Sequence, residues 1–148
     1  MTELLSVLVL VGTGVVAGVF FAVAISVMPA LIAMPPDRYV FTHKLLGRHY
    51  DRVMPLIVLG SGTADAVLAA RADGAGRWAF AAAAACMVGV ALVSQTRNVP
   101  INNRVKRLAP EEVGPDWDDP RTSWRDWHLV RTAFAFAGCA LTAVGVVL

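Results

Sequence analysis

Residues 4–34, LLSVLVLVGTGVVAGVFFAVAISVMPALIAM, contain no ionisable side chain. About 20 consecutive apolar residues carry a helix across a bilayer, so this run is long enough to span one. A cleavable secretion signal has a basic start and a much shorter apolar core. Here the run follows Met1-Thr2-Glu3, an acidic start, and it reads as a retained span over residues 4–33, with Pro29 bending the helix near one membrane face.

Three more apolar stretches follow. MPLIVLGSGTADAVLAA (residues 54–70) is interrupted only by Asp65. WAFAAAAACMVGVALVS opens a third span at about residues 78–95, and the fourth covers about 129–148 with Arg131 near its start. The composition agrees, with 57% hydrophobic residues, 16% charged residues and a mean hydropathy of +0.60. A soluble domain is about 45–50% apolar and about 25% charged. Two cysteines, Cys86 and Cys139, are too few for a disulfide scaffold, and both fall in spans as small apolar packing residues. The expectation is an all-α fold, an integral membrane four-helix bundle with a helical cytoplasmic loop region, forming a single membrane domain over residues 1–148.

The placement of charge orients the bundle. Of the 13 Lys and Arg residues, Arg38, Lys44, Arg48, Arg52, Arg97, Arg104, Lys106, Arg107, Arg121, Arg125 and Arg131 belong to the two long loops and their mouths, and Arg71 and Arg77 to the opposite hairpin. Basic residues accumulate on the cytoplasmic side, which predicts both long loops in the cytoplasm and both termini outside, in a membrane such as the bacterial inner membrane. The bases form no nucleic-acid stripe, and the net charge is only +2. Trp78, Trp117, Trp124 and Trp127 suit interfacial belts. Gly14 with Gly18, Gly60 with Ala64 and Gly62 with Ala66 have the small-xxx-small spacing that lets helices approach closely; the oligomeric state is open.

Several groups have chemical potential. Asp65 is an acidic residue inside a span, with Ser61 one turn away. An intramembrane carboxylate is either functional or structurally paired. The first loop, PPDRYVFTHKLLGRHYDRVMP, alternates apolar and basic residues as an interfacial helix does, and its His43, His49 and Asp51 are acid–base or metal-binding candidates. Six residues between the two histidines do not match the i, i+4 spacing of a helical metal pair. After the third span, Asn98-Val99-Pro100-Ile101-Asn102-Asn103 combines a helix-kinking proline with amides that either satisfy freed backbone groups or bind a substrate carbonyl. The loop APEEVGPDWDD (residues 109–119) leads to a helix start at Asp119-Pro120. Beyond it, Trp124, His128 and Arg131 fall on one helical face, with Trp127 one turn from Arg131. That face is either an anchoring belt or a ring platform with a titratable imidazole and a fixed cation.

Four short spans, N-V-P-I-N at residues 98–102 and W-x-x-W-H-x-x-R at residues 124–131 together resemble the anthrone oxygenase-like family of small integral membrane proteins. The resemblance implies oxidation of an anthrone-like polycyclic phenol by O2 at its central methylene, giving a quinone. It implies His128 as the base, with an unperturbed imidazole pKa of about 6.5, and Arg131 as the stabiliser of the developing phenolate. Asn98 and Asn102 would bind the oxygens, and Trp124 and Trp127 would stack on the rings. The partners are then an apolar aromatic small molecule, O2 and membrane lipid. No nucleotide fingerprint or haem-attachment motif is present, so no cofactor is expected; a metal ion at His43, His49 or His128 stays open. Two other classes compete, a small transporter using Asp65 and a non-catalytic membrane scaffold whose basic loops bind lipid or a soluble partner.

Overall fold

The computed structural model describes residues 2–114 and 117–148. Four helices account for nearly all of it: α1 (Thr2–Ala33), α2 (Pro36–Arg71), α3 (Gly74–Arg107) and α4 (Arg121–Val147). Each is long and apolar enough to cross a membrane, and the protein is an all-α integral membrane four-helix bundle. The helices run up and down in a ring, α1 packing on α2 and α4, and α3 packing on the same two. Large apolar residues such as Leu8, Val11, Leu56 and Leu92 remain exposed on the outside, where a bilayer supplies the apolar solvent.

The helices extend past the apolar stretches at the basic end. Residues 36–53 form one continuous helix with the second span, with Pro55 inside it. At 36 residues α2 is about 54 Å long, well beyond the ~30 Å hydrocarbon core. Its first turns, with Arg38, Lys44, Arg48 and Arg52, therefore extend past that core. Met34 and Pro35 make the sharp link from α1, and Gly74, at φ +57°, makes the link from α2 to α3 at the other end.

Neither Pro29 nor Pro100 ends its helix. Proline lacks an N–H and its ring crowds the carbonyl four residues back; both helices answer by widening one turn. Residues Val23–Val27 and Ser94–Asn98 are π-helical, the Met28 N–H reaching the Val23 carbonyl and the Val99 N–H reaching the Ser94 carbonyl. The two wide turns stand the same distance ahead of their prolines, and both border the cavity described below.

Close helix contacts use other glycines than Gly14 and Gly18, which face open space. A Cβ on Gly138 would meet Met87 and Cys86, and one on Gly145 would lie 2.9 Å from the Phe80 ring. Gly62 does lie at a contact, against Met87.

The connection into α4 is tied down by Arg121. Its Nη1 donates to the carbonyls of Leu31, Ile32 and Met34, at 3.1, 3.0 and 2.6 Å. These carbonyls lie at the C-terminal end of α1 and in its cap, where intrahelical donors run out; that of Leu31 also accepts the Met34 N–H at 3.4 Å. Arg121 also pairs with Asp119 and lies over the Tyr39 ring. The helix start falls one residue later than the sequence suggests: Pro120 is the N-cap, and the Asp119 carboxylate accepts the Arg121 N–H at 3.0 Å. Pro115 and Asp116 of the acidic loop lie outside the described residues, as does Met1.

Candidate functional site

At the basic end the bundle encloses a cavity of about 500 Å³. Val23 and Val27 of α1, Met54 and Val58 of α2 and Ala91 of α3 give it apolar walls. The polar groups converge from three helices: His43 and Tyr50 from α2, Ser94 and Asn102 from α3, and Arg131 from α4. Asp51 and Lys106 form an ion pair on the lining. An apolar pocket with a few convergent polar groups is the usual form of a small-molecule site.

Arg131 dominates its electrostatics. The residue is only 8% exposed, and among the described residues no carboxylate pairs with it. Its Nε–H donates to His128 Nδ1 at 3.0 Å and its Nη1 to the Ser94 hydroxyl at 3.2 Å. The rings of Phe20 and Trp124 lie 4.6 and 5.2 Å from the guanidinium carbon, a cation–π setting that partly replaces lost hydration.

A guanidinium donates and never accepts, so Nδ1 of His128 carries no proton. Nε2 then carries it and donates to the Phe20 carbonyl at 2.9 Å. Both ring nitrogens are engaged and the residue is wholly buried. The Trp124 ring stacks on this imidazole, with centroids 5.0 Å apart and planes at 15°. Trp124 is fixed in turn by its indole N–H, which donates to Asn102 Oδ1 at 2.7 Å, and by its carbonyl, which accepts from Asn98 Nδ2 at 3.0 Å. Asn102 lines the cavity together with His43.

Five of the residues singled out in the sequence, His43, Asp51, Asn102, Trp124 and Arg131, line the cavity. His128 and Asn98 lie behind that lining, holding Arg131 and Trp124 in place. Trp127 faces elsewhere: the Arg97 guanidinium sits 4.5 Å from its ring centre. Trp124 is buried in the bundle and not part of a lipid-facing belt. Of the two histidines in the first loop, His43 lines the cavity and His49 is exposed. Among the described residues no three His, Cys, Asp or Glu side chains converge as a metal site would need. Asp65 is fully buried away from the cavity and accepts hydrogen bonds from Thr142 of α4 at 3.1 and 3.2 Å.

Tyr50 and Ser94 are additions that sequence reading missed. Tyr50 stands seven residues after His43, two helical turns along the same face, and that spacing was the available signal. Its hydroxyl oxygen is buried and has no hydrogen-bond partner among the described residues, as is true of Asn98 Oδ1. A buried polar group left unpaired costs about 1–3 kcal/mol, so each such atom calls for a reason.

Fold and cavity together define a class: a small integral membrane protein that encloses an apolar, cation-bearing pocket at one end of its bundle. The chain belongs to the anthrone oxygenase family, whose model matches residues 43–141. No curated protein and no solved structure matches the chain. The matched segment includes the cavity-lining parts of α2, α3 and α4, with His43 at its first position.

Proposed function

We propose that the protein is a membrane oxygenase that binds an anthrone-like polycyclic phenol in the cavity and oxidises its central methylene with O2. The observation that carries this reading is the buried Arg131 guanidinium without a carboxylate partner, set among mostly apolar walls. The chamber's 500 Å³ lies within the ~300–1,000 Å³ typical of small-molecule sites.

The chemistry follows from the substrate's acidity. Loss of one methylene proton leaves an anion delocalised onto the ring oxygen opposite, and a fixed cation beside that oxygen lowers the barrier to forming it. The anion passes an electron to O2, and the resulting pair joins at the former methylene carbon as a hydroperoxide. Loss of water gives the quinone. In sum the methylene gives up two hydrogens and gains one oxygen atom, and the second oxygen atom leaves as water. The substrate anion supplies the electrons, so this route calls for no cofactor.

Among the imidazoles, His43 has the position to take the methylene proton, since it lines the cavity. His128 serves as a positioning residue, its Nδ1 accepting from Arg131. Asn102 and Ser94 supply polar contacts, and the Trp124 ring forms part of the wall. The basic end of the bundle faces the cytoplasm with both termini outside, as the distribution of Lys and Arg favours.

The test is turnover of an anthrone by membranes containing the protein, against the spontaneous rate in membranes without it, using isotopically labelled O2 and with and without a chelator. One labelled oxygen in the quinone, at a rate above background and unaffected by chelation, is expected. A rate equal to background removes the assignment, and loss of activity on chelation replaces the cofactor-free route with a metal-dependent one.

A further inference from the structure

We infer that Tyr50 and Arg131 together form a seat for a single anionic oxygen, so that the cavity selects planar phenols bound with one oxygen ionised. The inference rests on the functional reading above and deepens it, by naming the ionic form of the ligand and a residue that recognises it.

Three observations converge. The Tyr50 ring is packed against the cluster around Phe20, Met54 and Val58, which fixes where its hydroxyl can point. Tyr50 lines the cavity, and its hydroxyl is buried at the edge of the ring with no partner among the described residues. Arg131, on the opposite helix, lines the same cavity. The two hydrogen bonds of Arg131 use two of the guanidinium's five N–H donors. The carboxylate on the lining, Asp51, is paired with Lys106.

A buried cation without a counter-ion and a buried hydroxyl without an acceptor are each costly alone. An anionic oxygen between them satisfies both. A neutral ring system would leave the cation uncompensated, and a dianion would exceed the single positive charge available. The mostly apolar walls call for the rest of the ligand to be hydrocarbon-like. Two chemistries share this description, an ionised phenol and the carboxylate of a membrane fatty acid. The planar Trp124 wall stacked on His128 favours the flat one.

The experiment uses the full chain in lipid nanodiscs and a dihydroxyanthraquinone, whose colour changes when a phenol ionises. With the wild-type protein the bound dye is expected to ionise about one pH unit or more below its value in empty discs, a shift of the size one favourable charge contact produces. Tyr50→Phe is expected to weaken binding about tenfold, as loss of one hydrogen bond to a charged group does, and to shrink the colour shift. The same variant should unfold at an unchanged or higher temperature without ligand, because it removes an unpaired polar atom. A merely structural tyrosine would give the opposite stability result.

Equal affinity and equal colour shift in wild type and Tyr50→Phe would overturn the inference. So would displacement of the dye by oleate at equal concentration, which would assign the seat to fatty acid carboxylates. Absence of any dye binding also overturns it. If instead the dye binds with the expected shift but anthrone is not oxidised, the anion seat stands and the oxygenase reading falls.

Discussion

Arg131 and His128, one helical turn apart on α4, are joined by a hydrogen bond in which the guanidinium Nε–H donates to the imidazole Nδ1 at 3.0 Å. The bond uses the lone pair that a general base would need. It therefore separates two roles for His128, proton acceptor from substrate or support for Arg131, and substitution can tell them apart.

His128→Asn offers Arg131 an amide oxygen in place of Nδ1 but has no titratable group. Turnover of an anthrone should fall about tenfold in His128→Asn and about a hundredfold in His128→Leu, where a buried donor is left unpaired. His43→Gln should lose activity as completely as His128→Leu, and its pH–rate profile should lose the limb that reports the base. Equal inactivity of the Asn and Leu variants at position 128, with His43→Gln active, would return the base role to His128.

Arg121 fastens the start of α4 to the end of α1. Its three carbonyl acceptors and its partly buried bond to Asp119 make Arg121→Ala a loss of about 2–4 kcal/mol by the usual worth of charge-assisted bonds and the cost of unpaired carbonyls. Unfolding in detergent, followed by circular dichroism, measures it. Arg121→Lys should recover only part, because a point charge cannot reproduce the planar fork.

The same junction gives a pH dependence. Partial burial alone would raise the Asp119 carboxyl, but the hydrogen bonds and charge of Arg121 outweigh it and hold the group below the usual carboxylate value. A depressed folded value means the pairing stabilises fully above the unfolded carboxylate pKa, about 3.9, and is lost as pH falls through the folded one. Thermal stability of the wild type should therefore drop on acidification below about pH 4 more steeply than that of Asp119→Asn. Parallel curves for the two would show that the carboxylate contributes nothing there.

Helix packing supplies a contrasting pair of substitutions. Gly145→Ala places a methyl 2.9 Å from the Phe80 ring and should destabilise by about 1–3 kcal/mol, the usual penalty of overpacking. Gly18→Ala meets nothing within 4 Å and should be neutral or gain up to about 1 kcal/mol from helix propensity. Denaturant titration of both variants checks the ordering. A larger loss at Gly18 would indicate that a second copy of the chain covers that face.

Much of this architecture is legible in the sequence because lipid tolerates so few charges: residues 4–34 without an ionisable side chain can hardly be anything but a span. The length of α2 is not legible, since PPDRYVFTHKLLGRHYDRV is polar enough to read as a separate surface helix, and only packing of Tyr39, Val40 and His43 into the bundle shows it to be continuous. Spacing puts Trp124, His128 and Arg131 on one face of α4, and the structure brings them into contact. It does not reveal which side of that face meets the cavity, because aromatic residues occupy two faces and Trp127 belongs to the other. Tyr50 escapes notice because it lies among bases, where a tyrosine resembles an interfacial anchor. The Gly14/Gly18 pattern misleads because small-residue spacing arises readily in Gly- and Ala-rich spans, and closeness depends on what faces the glycine.

The most direct measurement is O2 consumption coupled to quinone formation from an anthrone by the purified protein in nanodiscs, compared with Arg131→Met. The wild type should consume one O2 per quinone at a rate well above autoxidation, and Arg131→Met, which keeps bulk but removes the cation, should fall to the background. Equal rates for the two proteins, or a wild-type rate no faster than empty discs, would contradict a cavity that works by stabilising the substrate anion at Arg131.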